Sequence, residues 1–169
     1  MDKNEVVILG LGVTKFGRAE AMAKSARQLI AEAALMALDD AGVSIKEIQH
    51  GFTSRVLSGQ GRGEFLLEDI GQTGVAIDNV EKVCASSSSG VRLAYWAIQS
   101  GRFDLVLAAG VERLGHGVIP VGDFDTYQQL MGMSVPPVGY ALEEQRYMHD
   151  YGATLEQIAK IAVIAHKNG

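Results

Sequence analysis

One cysteine, one tryptophan and three prolines occur in 169 residues. A single thiol cannot close an internal disulfide or build a cysteine-based zinc site. The four histidines, His50, His116, His149 and His166, are scattered without the spacing of metal ligands, so no metal is expected. There is no run of lysine and arginine, and the formal net charge is −5. That balance argues against a general nucleic-acid binder. No apolar stretch approaches the roughly 20 residues of a membrane span. The first residues, MDKNEVVILG, are too short and too charged for a secretory signal. A cytoplasmic location is therefore the expectation. The length suits one domain with a real core, whereas two full domains would be crowded.

The patterning is that of an α/β protein. EVVILGLG, a short β-branched run ending in glycines, predicts a buried strand. In SARQLIAEAALMALDDAG, Ser25 and Gln28 make a capping box, and Ala26, Leu29, Ile30, Ala33, Ala37 and Leu38 share one helical face. Gly42 suits the left-handed residue that follows a helix. IQHGFTSRVLS predicts a second strand, GQGRGEFLLEDIG a loop and a short helix, and NVEKVCA a short strand entering a turn. A helix from Ser87 or Ser88 to Ser100 carries Val91, Ala94, Tyr95, Ala97 and Ile98 on one face. FDLVLAAGVE then reads as another strand, which makes a right-handed βαβ unit the expected arrangement. From Leu114 to Gly152 the chain is rich in Gly, Pro, Met and Tyr, and predicts an irregular excursion with one short helix near YALEEQRYM. A last helix follows, capped by Thr154 and Gln157.

The chemistry-bearing stretch is VCASSSSGVRLAYW, residues 83–96. A lone cysteine is ordinarily a small buried hydrophobe. Cys84, however, stands in a turn between a strand and a helix, where backbone N–H groups favour a thiolate and can hold an oxyanion. The small residues after it would let a substrate approach the backbone closely. This favours a nucleophile. Ser86, Ser87, Ser88 and Ser89 are mostly turn and cap residues. A serine nucleophile is disfavoured, because no Gly-x-Ser-x-Gly surrounds them. LGLGVTKFG suggests a dinucleotide fingerprint, but Lys15 stands where the third glycine is needed. His116 near a strand end is a candidate base, although a lone histidine is more often structural. Glu143 and Glu144 read as a solvated helix face, and Tyr140, Tyr147 and Tyr151 as core or interface.

VCASSSSGVRLAYWAIQSGRFDLVLAAGVERL resembles the active-site stretch of the thiolases. There a cysteine opens a buried helix, a Ser-Gly-x-x-Asp turn follows, and a strand ends in Gly-x-Glu. This sequence has Cys84, Ser100-Gly101-Arg102-Phe103-Asp104 and Gly110-Val111-Glu112 in that order. VVILGLGVTKFGR resembles the family's first strand and turn. YMHDYGATLEQIAKIAVIAHKNG resembles the loop-domain helix of the sterol-carrier-protein-type and archaeal-type members. The resemblance implies a thiolase-like layered α/β fold, N-terminal half only: a mixed sheet with a buried active-site helix over residues 1–118, and the start of a loop domain over 119–169. It implies Cys84 as the acyl-accepting nucleophile, with Ser86, His116 and Val138 as substrate-binding residues. The substrate would be a coenzyme A thioester, and no separate cofactor is implied. The family's histidine and second cysteine lie in a C-terminal half whose motifs are missing here. The resemblance thus implies a homo- or hetero-oligomer in which another chain supplies that half, and a small zinc-ribbon/OB-fold partner protein. Ketosynthase or hydroxymethylglutaryl-CoA-synthase-like condensation, and a non-catalytic interaction subunit of the same fold, are the alternatives.

Overall fold

The computed structural model describes residues 5–17, 23–57, 59–71, 73–114 and 124–168. It divides into two compact units, Met1–Gly115 and His116–Gly169.

The first unit is a three-layer α/β arrangement. Helix α1 (Ala26–Ala41) starts at the anticipated capping box, with the Ser25 hydroxyl accepting from Gln28 N–H, and ends at Gly42 with φ 67°. Strand β1 (His50–Ser54), helix α2 (Arg62–Ile70), strand β2 (Ile77–Val80), helix α3 (Ser86–Gln99) and strand β3 (Val106–Gly110) follow. The sheet order is β2-β1-β3, with every pairing parallel among the described residues. The expected mixed sheet would need an antiparallel strand, and none of these three supplies it. Gly51 pairs with Ile77 on one side and Leu107 on the other, so β1 is the central strand. β2 and β3 run parallel on either side of it, so the connection through α3 crosses over β1, as βαβ geometry requires.

The alternation of strand side chains sorts the helices onto the two faces. Thr53 faces α2, where a side chain at Gly63 would strike it, while Phe52 and Ser54 face Gly90 of α3. On the α1/α2 face the core is Ile30, Ala31, Ala34, Leu38, Ile48, Leu66 and Leu107. On the other face α3 buries only small residues, Ser86, Ser89 and Gly90. The helix expected to be buried is therefore covered on one side alone, and Val91, Tyr95 and Trp96 are exposed. A helix with glycine and serine against a sheet can sit close to it, but its larger apolar face then needs another layer.

The first anticipated strand does not form. Residues 5–17 carry no strand pairing, and Val7, Ile8 and Leu9 are 59%, 76% and 56% exposed. A β-branched run specifies extended backbone, but a strand exists only beside a partner with free hydrogen-bonding groups. Here the segment lies across α1 instead. Gly10 and Gly12 pass so close to Ala33, Ala37 and Ala41 that neither has room for a Cβ, and Leu11 N–H donates to Asp40 Oδ2 at 2.9 Å. Between this segment and the outer edge of β3 runs an apolar groove of about 460 Å³, lined by Val6, Ile8, Ala41, Tyr95, Ile98 and Val106 among others.

The second unit holds α4 (Thr126–Leu130), α5 (Pro136–Tyr151) and α6 (Leu155–Asn168). The excursion expected to be irregular is therefore mostly helical. Pro136 and Pro137 read as breakers but sit in the first turn of α5, where a proline's missing N–H costs nothing. α6 has the anticipated cap: Gln157 N–H donates to Thr154 Oγ1, and Thr154 N–H to Gln157 Oε1. No residue of α4, α5 or α6 is fully buried.

Candidate active site

Strand β2 ends at Val80, earlier than the sequence suggests, and residues 81–85 form the turn that carries Cys84. Ala85 N–H donates to Lys82 C=O at 3.0 Å, closing a four-residue turn with Val83 and Cys84 at its centre. Val83 has φ 47°, the only described non-glycine residue at positive φ. A β-branched residue there is strained by on the order of 1–3 kcal/mol. This strain sits immediately before the chain's one thiol, which is exposed.

One serine hydroxyl holds the turn from below. Ser86 is 4% exposed. Its hydroxyl donates to Val83 C=O and accepts from Lys82 N–H, both at 2.7 Å. Val83 N–H donates to Glu81 Oε1 at 2.6 Å. Helix α3 itself begins at Ala85, which offers no side-chain cap. It thus has no capping side chain, as at α2 and α5, and Ser86 N–H donates to Val83 C=O at 3.2 Å instead. The positive end of the helix favours an oxyanion at this place.

The floor of the site is packed from small residues. A side chain at Gly110 would strike the Ser87 hydroxyl, and one at Gly90 would come within 2.5 Å of the Ser54 hydroxyl. At the same end of the sheet, Glu112 Oε2 accepts from Val56 N–H at 2.8 Å and Leu57 N–H at 2.9 Å, and Val111 N–H donates to Ser54 C=O at 3.0 Å. The glutamate of Gly-Val-Glu thereby ties the loop after β1 to the end of β3. A cleft of about 420 Å³ opens here, lined by Thr14, Phe16, Leu29, Gly110, Glu112 and Leu114 among others. It lies at the carboxyl end of β3, the end of a parallel sheet where ligands bind in α/β folds.

Of the anticipated site residues, Cys84 and Ser86 come together in the turn. Val138 is half-buried in the first turn of α5, in the second unit. His116 lies outside the described residues. Glu143 and Glu144 are exposed, as a solvated face should be, and so are Tyr140, Tyr147 and Tyr151. The strain at Val83 and the clamp at Glu112 carry no mark in the sequence beyond their neighbours: a serine three residues after Val83, and the Gly-x-Glu ending of a strand. Among the described residues, no group of three or more His, Cys, Asp or Glu is placed to hold a metal ion.

The parallel α/β sheet with an exposed thiol at the start of α3 is in keeping with a protein of the thiolase and condensing-enzyme superfamily, which the family match shows. The chain belongs to the thiolase family: residues 6–169 match the model "Thiolase, N-terminal domain". It is 34% identical to an acetyl-CoA acetyltransferase of Methanocaldococcus jannaschii, over 97% of this chain and 44% of that protein. It is 30% identical to the benzoylsuccinyl-CoA thiolase subunit BbsB of Thauera aromatica, over 95% of this chain and 42% of that one. Among solved structures, the Ltp2-ChsH2(DUF35) aldolase is similar with a TM-score of 0.68 at 25% identity, covering 87% of this chain and 38% of that chain. The chain thus spans less than half the length of these relatives. A 3-oxoacyl-[acyl-carrier-protein] synthase III from Aquifex aeolicus shares the fold at 18% identity, with a TM-score of 0.55.

Proposed function

We propose that this chain is the nucleophile-bearing half of a thiolase that acts on acyl-coenzyme A thioesters. The observation that supports it most is the exposed Cys84, presented by a strained turn at the uncapped start of α3. In the thiolytic direction the Cys84 thiolate attacks the 3-oxo carbon of a 3-oxoacyl-CoA. The bond between C2 and C3 breaks, its electron pair stays on C2, and an acid protonates that carbon to release acetyl-CoA. The acyl group remains on sulfur until the thiolate of a second coenzyme A displaces it. Condensation is the reverse. The α3 N–H groups stabilise the oxyanion at each tetrahedral stage.

The proton transfers need a base and an acid that a complementary half supplies. The apolar groove beside β3 and the exposed face of α3 are the surfaces such a half would cover. Benzoylsuccinyl-CoA thiolase, named as a subunit, and the two-component name Ltp2-ChsH2(DUF35) support an assembly of more than one polypeptide, and a zinc-ribbon/OB-fold protein is proposed as a further partner. Val138 and His116 are proposed as substrate-binding residues on the resemblance alone, and a cytoplasmic setting fits a coenzyme A substrate.

Mass spectrometry after incubation with acetyl-CoA and longer acyl-CoAs, with and without the complementary chain, tests this. An acyl adduct on Cys84 in the complete assembly is the expected result, and Cys84→Ala should remove both adduct and activity. An assembly that turns over with Cys84→Ala would sink the reading and leave a non-catalytic, partner-holding role.

A further inference from the structure

We infer that Ser86 is a positioning residue for Cys84: its buried hydroxyl holds Val83 in the left-handed backbone conformation and so fixes the thiol at the head of α3. The inference rests on the reading of Cys84 as nucleophile. Three observations carry it. The Ser86 hydroxyl bridges the two residues that precede Cys84, donating to Val83 C=O and accepting from Lys82 N–H, each at 2.7 Å. Val83 occupies a conformation that a β-branched residue does not hold unaided, at φ 47°. Lastly, Ser86 stands one position past the N-cap, so it cannot cap the helix in the usual way, and Ala85 leaves that role unfilled. The Ser86 hydroxyl braces the turn behind the thiol instead.

The same bonds bear on whether Ser86 meets substrate. A hydroxyl has one proton to donate. Here that proton is donated to Val83 C=O, so Ser86 cannot also donate to a thioester oxygen without releasing the turn. Its effect on the reaction therefore passes through the geometry of residues 82–84. Glycine at position 83 adopts positive φ without strain, which makes the brace dispensable. This gives the idea a sharp test.

The measurement is the alkylation rate of the sole cysteine by iodoacetamide in the complete folded chain, divided by the rate for the same chain unfolded in guanidinium. That ratio isolates what the fold does to the thiol. Ser86→Ala should lower it roughly tenfold, within the range expected for residues sharing one hydrogen-bonded network. Val83→Gly alone should change it little, and Val83→Gly with Ser86→Ala should stay within about threefold of Val83→Gly. Ser86→Thr, which keeps the hydroxyl, should stay near wild type. The inference is overturned if Ser86→Ala keeps the wild-type ratio, or loses the same factor in both backgrounds. If Ser86→Ala does not fold, the double variant decides: a folded, reactive double variant supports the brace, and an unfolded one overturns it. Failure of Cys84 to take up an acyl group would leave the outcome of this cycle untouched, so the two readings fail separately.

Discussion

Cys84 stands in an exposed turn that is braced from beneath. Ser86 and Ser89 are buried beneath the turn, Gly90 and Gly110 let α3 approach the strands, and Glu112 ties down the neighbouring loop. The cysteine, the serine run and the Gly-x-Glu ending were legible in the sequence because each is a residue type with a distinctive chemistry. The hydrogen bonds that give Ser86 and Glu112 their roles were not. Those of Ser86 depend on carbonyl and N–H directions set by a left-handed residue, and valine is the last side chain from which one would infer that conformation; those of Glu112 depend on a loop far off in the sequence. A second residue-scale contact links the helices of the core face. Arg27 Nε and Nη2 donate to Asp69 Oδ2 and Oδ1 at 2.6 and 2.7 Å, joining α1 to α2. The hydrogen bond from Arg27 holds the Asp69 carboxyl below its ordinary range. A carboxyl so depressed adds stability above its unfolded-state range, and that stability is lost as pH falls through the folded value. Asp69→Asn should therefore lower the denaturation midpoint at neutral pH, with the difference from wild type shrinking toward zero in acid. A difference that persists in acid would mean that packing, and not the charge, is what the substitution disturbs.

At the scale of elements, the helices with caps were read correctly and the first strand was not. Ser25 with Gln28, and Thr154 with Gln157, are local signals satisfied within four residues, so sequence suffices to find them. The stretch VVILG has equally clear local preference, but pairing is a non-local property, and no described strand lies beside it. What holds this segment in place is its glycines. At Gly12 a Cβ would overlap backbone atoms of Ala33 and Ala37, which a side-chain rotation cannot relieve. Gly12→Ala should lift the segment off α1 and cost about 1–3 kcal/mol, as overpacking does. Hydrogen exchange would show it as faster exchange at Leu11 N–H, which the Asp40 carboxylate otherwise accepts from. In the second unit the short helix expected near YALEEQRYM forms, but the two prolines concealed its first turn, because a break signal and a start signal use the same residue.

At the scale of the molecule, stability concentrates in one layer. Leu66 and Ile30 are 0% and 1% exposed between the helices and the sheet. Leu66→Ala should cost about 2–5 kcal/mol by leaving a cavity there, measured as a shift in the urea midpoint with an unchanged slope. The opposite face has no such layer: Val91, Tyr95 and Trp96 are 56%, 47% and 54% exposed. A chain spanning 44% of an acetyl-CoA acetyltransferase is thus well packed on one side of its sheet and open on the other. On its own it should bind dyes that report apolar surface, and lose that binding when the complementary half is added.

The outer edge of β3 has a further consequence. Its sequence, VLAAG, carries none of the lysines, prolines or bulges by which natural edge strands discourage pairing with a foreign chain. With the apolar groove alongside, it is a template for adding like strands side by side, so the isolated chain should form β-rich aggregates whose onset shortens with concentration. Ala108 is exposed on that edge. Ala108→Lys should delay the onset without lowering the urea midpoint, and should in the same stroke bar the complementary half from its seat, so that a single charge would separate solubility from assembly.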